Sequence, residues 1–241
     1  MNTQTAIEWT DATWNPVTGC TKTSPGCAHC YAEAVTLRFK KGGPFLPGKT
    51  TINLHRDRLE QPLQWKGERR IFVNSMSDLF HEEVPFEYIA EIFDVMSRAT
   101  SHTFQVLTKR HERLAQIAGD LPWPENIWLG VSVENQYWAD ARIPALLGVP
   151  AAVRFLSCEP LLRGVNLAPY LADLSWVIVG GESGPKARDM SSEWVELIRD
   201  QCVASGTPFF FKQWGGFRPK SRGNVLDGAT WQQFPVVAPV G

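Results

Sequence analysis

Three cysteines fall within eleven residues near the start of the chain, Cys20, Cys27 and Cys30, in the run Gly-Cys-Thr-Lys-Thr-Ser-Pro-Gly-Cys-Ala-His-Cys-Tyr. Thiolates held this closely are ligands before they are anything else. A tetrahedral zinc site or an ordinary four-cysteine cluster takes four protein donors, whereas a 4Fe-4S cluster held by three leaves one iron open to a substrate or cofactor. The other two cysteines, Cys158 and Cys202, are distant in sequence. That is not the even, dispersed framework of a small secreted domain, and a reducing, cytoplasmic compartment would keep the trio available as thiolates.

A second set of candidate groups stands at the ends of apolar runs. Residues 70–74, 103–108, 127–133, 153–157, 176–179 and 208–212 read as parallel strands buried on both faces. Each ends in polar residues: Asn74, Ser75 and Asp78; Thr108, Lys109 and Arg110; Ser132, Glu134 and Asn135; Ser157 and Glu159; Glu182 and Ser183 after two glycines; Lys212, Gln213 and Trp214. One such residue is a helix cap or a surface group. Their recurrence on strand after strand points to a common face, because side chains from different loops of a parallel barrel converge at the strands' carboxyl ends.

The elements that position these groups follow from periodicity. Helices are expected over 31–40, 85–99, 110–118, 135–147 and 192–204, with Pro85 suited to a first turn, Ser191 or Ser192 as an N-cap and Gly206 as a stop. Residues 51–55 read as a short strand. Alternating strands and helices without hairpin signals predict an α/β chain, a full or partial parallel βα barrel of six to eight units, with an open doubly wound sheet as the runner-up. One domain is expected over 1–241, with 215–241, rich in Gly, Pro and Trp, as an irregular tail wrapping the barrel.

Composition excludes some classes. With 241 residues, 44% hydrophobic and 20% charged, the chain has the makeup of a globular domain with a sizeable core. No apolar stretch reaches the roughly 20 residues that span a bilayer, so no membrane partner is expected. The net charge of −1 advertises no nucleic-acid partner. Locally, residues 38–70 hold nine Lys or Arg against three acids, and Arg218, Lys220 and Arg222 form a second basic cluster. Together with ten tryptophans, they keep a polyanionic substrate open.

The three-cysteine loop, placed before a helix and followed by βα units, resembles the radical S-adenosylmethionine superfamily. The runs Ile-Glu-Trp-Thr-Asp-Ala-Thr-Trp-Asn-Pro, Ser-Cys-Glu-Pro-Leu, Val-Gly-Gly-Glu-Ser-Gly and Phe-Phe-Lys-Gln-Trp-Gly resemble a phage-associated family within it, similar to spore photoproduct lyase. The resemblance covers residues 6 to 216. It departs from the commonest superfamily pattern in the six-residue gap between the first two cysteines and in His29, which stands where an aromatic residue near the adenine is usual.

The resemblance implies that Cys20, Cys27 and Cys30 hold a 4Fe-4S cluster and that S-adenosylmethionine chelates the open iron. Reduction by a low-potential donor such as flavodoxin or ferredoxin would then cleave it to methionine and a 5′-deoxyadenosyl radical. It places His29, Asn74, Ser75 and Asp78 at the cofactor, with Ser132 and Glu134 as candidates for its ribose hydroxyls. Glu182 would orient substrate or cofactor, and Lys109, Arg110 and Lys212 would neutralise a carboxylate or phosphate. The implied substrate is a nucleic-acid base or nucleotide, most plausibly in DNA, with Trp214 available for stacking. Alternation along the strand places Ser157 and Glu159 on one face and Cys158 on the other, among packing residues.

Two other readings stay open. In one, His29 or His55 completes a Cys3His zinc site and the chain is a structural nucleic-acid accessory protein. In the other, the barrel keeps a cluster but has lost cofactor cleavage.

Overall fold

The computed structural model describes residues 5–39, 43–218 and 220–236. Its centre is one sheet of seven parallel strands in the order β1-β4-β5-β6-β7-β8-β9. The strands are β1 (Ala12–Trp14), β4 (Arg69–Val73), β5 (His102–Thr108), β6 (Ile127–Ser132), β7 (Arg154–Cys158), β8 (Trp176–Gly180) and β9 (Phe209–Gln213). The sheet curls but does not close, giving the partial version of the expected barrel. Two very short strands, β2 (Val17–Thr18) and β3 (Asn53–Leu54), pair antiparallel outside it.

Helices α1 (Tyr31–Arg38), α2 (Phe86–Arg98), α3 (His111–Ile117), α4 (Gln136–Leu147) and α5 (Ser192–Ser205) supply the crossovers. Pro85 stands outside the first turn of α2 as its cap residue, and Asn135 caps α4 by accepting a hydrogen bond from the Trp138 amide. The chain from β7 to β8 has no α-helix; a short 3-10 turn at Leu171–Asp173 takes its place. Lys40 and Lys41, within the expected first helix and the basic segment, lie outside the described residues, as do residues 1–4, Gly42, Pro219 and 237–241.

Strand alternation sorts the apolar residues into two cores. Ile71, Val73, Phe104, Val106, Leu129, Val131, Leu156, Val177 and Val179 pack with Ile92, Phe93 and Ile198 from the helices. Phe72, Trp128, Phe155, Trp176, Ile178 and Phe210 point to the opposite face and pack with Trp9 from the amino-terminal segment. Gly130 makes room there: a Cβ on it would stand 2.4 Å from the Phe155 ring.

The carboxyl-terminal segment is more regular than expected. Strands β10 (Val225–Leu226) and β11 (Ala229–Thr230) form a hairpin around Asp227-Gly228, whose φ values of 50° and 75° are those of a tight turn with both central residues left-handed. The chain then runs beside β9, where the Phe211 amide donates to Trp231 O at 2.8 Å. Phe234 reaches Trp176 and lies under the Arg70 guanidinium, 4.2 Å from the ring centre, so the tail spans from β9 and β8 to β4.

Candidate functional site

A cavity of about 530 Å³ lies at the carboxyl ends of the strands. Cys20, Cys27 and Cys30 line it together with His29, Asn74, Ser75, Asp78, Lys109, Ser132, Glu182 and Lys212. Of the candidate ligands and strand-end residues, Arg110, Glu134, Asn135, Trp214 and His55 stand outside that lining, and the others face one space. Ile7, Trp9, Phe72 and Leu107 give that space an apolar floor.

The cysteine loop leaves β2, turns through a short 3-10 segment at Pro25–Cys27 and enters α1, for which Cys30 is the cap residue. The three thiols differ electrostatically. Burial pushes Cys20 up to about 12, Asp78 adds to this and Arg110 opposes it. Burial also acts upward on Cys27, but the Lys109 ammonium and hydrogen bonds from Thr23 and Ser24 outweigh it, leaving this thiol below its ordinary value. Cys30 is raised, chiefly by burial, against amide hydrogen bonds from Glu33 and Ala32. Cys27 is thus the most readily formed thiolate of the three.

Several polar residues around the loop hold the site in shape. The Asp78 carboxylate accepts from Thr108 Oγ1 at 2.7 Å and from the Lys109 amide at 2.9 Å, tying the loop after β4 to the end of β5. Asn15 accepts from the Met76 amide at 2.9 Å and pairs with Ser75. Arg110 is buried rather than in the cavity, with its guanidinium on Glu82 and on Thr21, where it reaches the carbonyl oxygen at 2.9 Å. Glu182 accepts from His29 Nδ1 at 2.9 Å and from Arg188 at 2.6 Å, while Arg188 also donates to Pro25 O at 2.9 Å. Burial alone would raise the Glu182 carboxyl, but hydrogen bonds from Arg188 and His29 bring it down to about 2. Glu182 is therefore an ionised clasp on the cysteine loop.

The cations divide clearly. Lys212 pairs with Glu159 at 2.5 Å and Lys220 with Glu8 at 3.0 Å. Lys109 donates to Ser132 Oγ at 2.9 Å and, among the described residues, has no carboxylate within ion-pair distance. Asn74 is 3% exposed, and neither its Oδ1 nor its Nδ2 has a partner among the described residues. A buried amide left this way costs free energy until a ligand supplies both a donor and an acceptor.

Several expectations change. Glu134 lies behind the cavity wall with 0% side-chain exposure, paired to Arg142, so it does not face a ribose. Trp214 packs on Phe211 and donates to Val225 O, so it serves the tail hairpin instead of a stacking surface. Arg222 pairs with Asp189 as Lys220 does with Glu8, which compensates most of the second basic cluster. Cys158 is fully buried in the outer core, as alternation predicts, and burial pushes its thiol far up. His55 Nε2 sits 2.8 Å from Thr18 Oγ1, away from the cavity. The sequence reading missed Arg142, Arg188, Ser24 and Asn15; Ser24, within the cysteine run, and Asn15, within Trp-Asn-Pro, belonged to runs already singled out, whereas Arg142 and Arg188 did not.

A lone ion and a cluster place different demands on the three thiols. Among the described residues no three His, Cys, Asp or Glu side chains converge as a single metal ion requires. The thiols of a cubane cluster bind three different irons rather than one, and these three line a single cavity. The Asn74 amide, without partners among the described residues, and the Lys109 ammonium, without a carboxylate among them, are left open to a polar, anionic ligand.

Similar folds occur among solved structures. Spore photoproduct lyase complexed with dinucleoside spore photoproduct aligns with a TM-score of 0.53 at 14% identity, over 83% of this chain and 63% of that one. A single-substitution mutant of that lyase, with one cysteine changed to serine, gives 0.52 at 13%. A double mutant with bound AdoMet and dinucleoside spore photoproduct gives 0.51 at 11%, and both have the same coverages as the first. The chain thus spans less than two thirds of those proteins, and at these identities the likeness is one of fold. No curated protein matches it. No helix among the described residues is long and apolar enough to cross a membrane. A family model matches residues 4–235, and the chain belongs to that family, described as protein of unknown function (DUF5131).

Proposed function

We propose that the chain is a radical S-adenosylmethionine enzyme whose cluster is held by Cys20, Cys27 and Cys30. The observation that carries this reading is that three thiols and an unpartnered buried amide border one cavity at the carboxyl edge of a parallel half-barrel. Bound there, the cluster and cofactor would supply one-electron cleavage to methionine and a 5′-deoxyadenosyl radical, which takes hydrogen from an unactivated position. The protein's part is to bind, orient and exclude water. Lys109 would hold the methionine carboxylate, Asn74 and the backbone near Ser75 its amino group, and Ser132 a hydroxyl. Glu182 keeps the cysteine loop against the barrel, and the apolar floor keeps water from the reacting groups. An external low-potential donor such as flavodoxin or ferredoxin would reduce the site.

The proposed substrate is a nucleic-acid base or nucleotide, supported by the dinucleoside ligand of the structural neighbours. A base within a duplex would have to be extruded to enter a strand-end cavity. Phage association rests on the sequence resemblance alone. Anaerobic reconstitution followed by reduction with S-adenosylmethionine tests the core reading: about four irons per chain and release of 5′-deoxyadenosine are expected. A colourless protein holding stoichiometric zinc would overturn it. Oligonucleotide binding that weakens with salt tests the substrate class.

A further inference from the structure

We infer that Glu134 and Arg142 form a buried positioning unit that seats the cysteine loop through Ser24 and Gly26, an inference that takes the proposed cluster site as its setting. Both side chains are 0% exposed, with Arg142 Nη1 2.6 Å from Glu134 Oε2 and 2.7 Å from Ser132 O. The guanidinium lies over the Trp138 ring, 4.0 Å from its centre. A buried ion pair is weak evidence of stabilisation, because removing two charges from water offsets most of their attraction. Its geometry suggests another use.

One Glu134 oxygen is fixed by Arg142, and the other, Oε1, accepts the hydroxyl of Ser24 from a segment 110 residues earlier in the chain. Two residues further, the loop backbone passes so close that a Cβ on Gly26 would stand 2.5 Å from Glu134 Cγ and Oε1. Ser24 Oγ in turn lies 3.8 Å from Cys27 Sγ. The carboxylate is thus a fixed seat one side chain away from a ligand thiol. The loop is held there by groups that need no metal, so the seat exists in the metal-free chain. With both oxygens engaged, Glu134 acts through Ser24 and touches neither cofactor nor substrate.

The test uses the metal-free full chain and proteolysis after Lys22, inside the loop, followed by mass spectrometry. Cleavage of a folded chain reports the population in which the segment is released. Losing a hydrogen bond to a charged acceptor should raise that population about tenfold in Ser24→Ala. Gly26→Ala should raise it at least as much, and Ser24→Thr, which keeps the hydroxyl, should stay near the parent. The thermal midpoint, followed by circular dichroism, should fall by only about 3–6 °C in Ser24→Ala, because the same tenfold loss is felt by global unfolding of a chain of this size. Iron retained after anaerobic reconstitution should fall in the same order. Parent-like cleavage in both alanine variants would overturn the inference. If the parent takes up no iron while both alanine variants still release the loop, the cluster reading fails and the seat stands.

Discussion

Arg142→Met should separate what the buried pair does for the fold from what it does for the loop. Methionine keeps an unbranched chain of similar reach against Trp138 but removes the guanidinium, leaving the Glu134 carboxylate at 0% exposure without its counter-charge. Breaking a buried pair in this way costs about 3–5 kcal/mol. The lost donor to Ser132 O adds to that, and retained burial of the methionine chain subtracts from it. With a urea dependence of about 3 kcal/mol per molar for a chain of this size, the midpoint should drop by about 1 M or more. The double variant Glu134→Gln/Arg142→Met removes both charges and should recover most of the midpoint, since an apolar or neutral replacement of a whole pair is often close to neutral. Equilibrium unfolding followed by tryptophan fluorescence and circular dichroism gives both numbers. An Arg142→Met cost below about 1 kcal/mol, or a double variant no better than the single one, would refute the picture of an ionised, desolvated pair.

The remaining predictions use other parts of the molecule. Cys20→Ala, Cys27→Ala and Cys30→Ala should each abolish iron retention on anaerobic reconstitution, while Cys158→Ala and Cys202→Ala, in the outer core, should keep it. Asn74→Leu removes an amide whose two polar atoms are buried without partners, so the metal-free chain should be as stable as the parent or gain up to about 1–3 kcal/mol, while equilibrium dialysis shows weaker S-adenosylmethionine binding to the reconstituted protein. Gly130→Ala sets a Cβ against the Phe155 ring and should cost about 1–3 kcal/mol in urea unfolding. His102 is buried, its Nε2 lies 3.1 Å from Pro62 O, and burial lowers its pKa from the ordinary 6.5. The neutral ring is therefore favoured in the folded chain. Its contribution is complete above pH 6.5 and is lost as pH falls toward the lowered folded value, so the parent's urea midpoint should decline below pH 6.5 more steeply than that of His102→Asn.

The sheet was legible because its strands are continuous apolar runs. Ile127–Ser132 and Trp176–Gly180 are buried along their whole length, and no amphipathic alternation competes with reading them as parallel and two-sided. The start of α4 was legible where the cap is chemical, at Asn135, whose side chain accepts from the Trp138 amide; Ser191 holds the cap position of α5 without a side-chain bond. The hairpin over Val225–Thr230 was missed despite its Asp-Gly turn, because two-residue strands carry no periodicity. The tail's course past Trp176 to Arg70 depends on one aromatic residue, Phe234, meeting partners far away in the chain.

The site divides along the same physical line. Residues still within the strand register, such as Ser132 and Ser157, which pair across β6 and β7, face the cavity as alternation requires. Glu134 follows Ser132 by two residues, and alternation would place it on the same face. The strand ends at Ser132, however, and the chain turns to cap α4 at Asn135, so the period of two no longer governs its direction. Its destination is set by Arg142 on the following helix and by Ser24, 110 residues away. Glu182, just beyond β8, is likewise turned onto the cysteine loop by Arg188 and His29. Of the strand-end acids, Glu134 and Glu182 therefore hold the cysteine loop, Asp78 ties the loop after β4 to the end of β5, and Glu159 neutralises Lys212. The cavity wall is left with Lys109 as its cation without an acidic partner among the described residues, next to the thiols whose charge it lowers in cost. An anionic group entering the cavity meets that charge already in place, which is the arrangement the proposed carboxylate-bearing cofactor would need beside the proposed cluster.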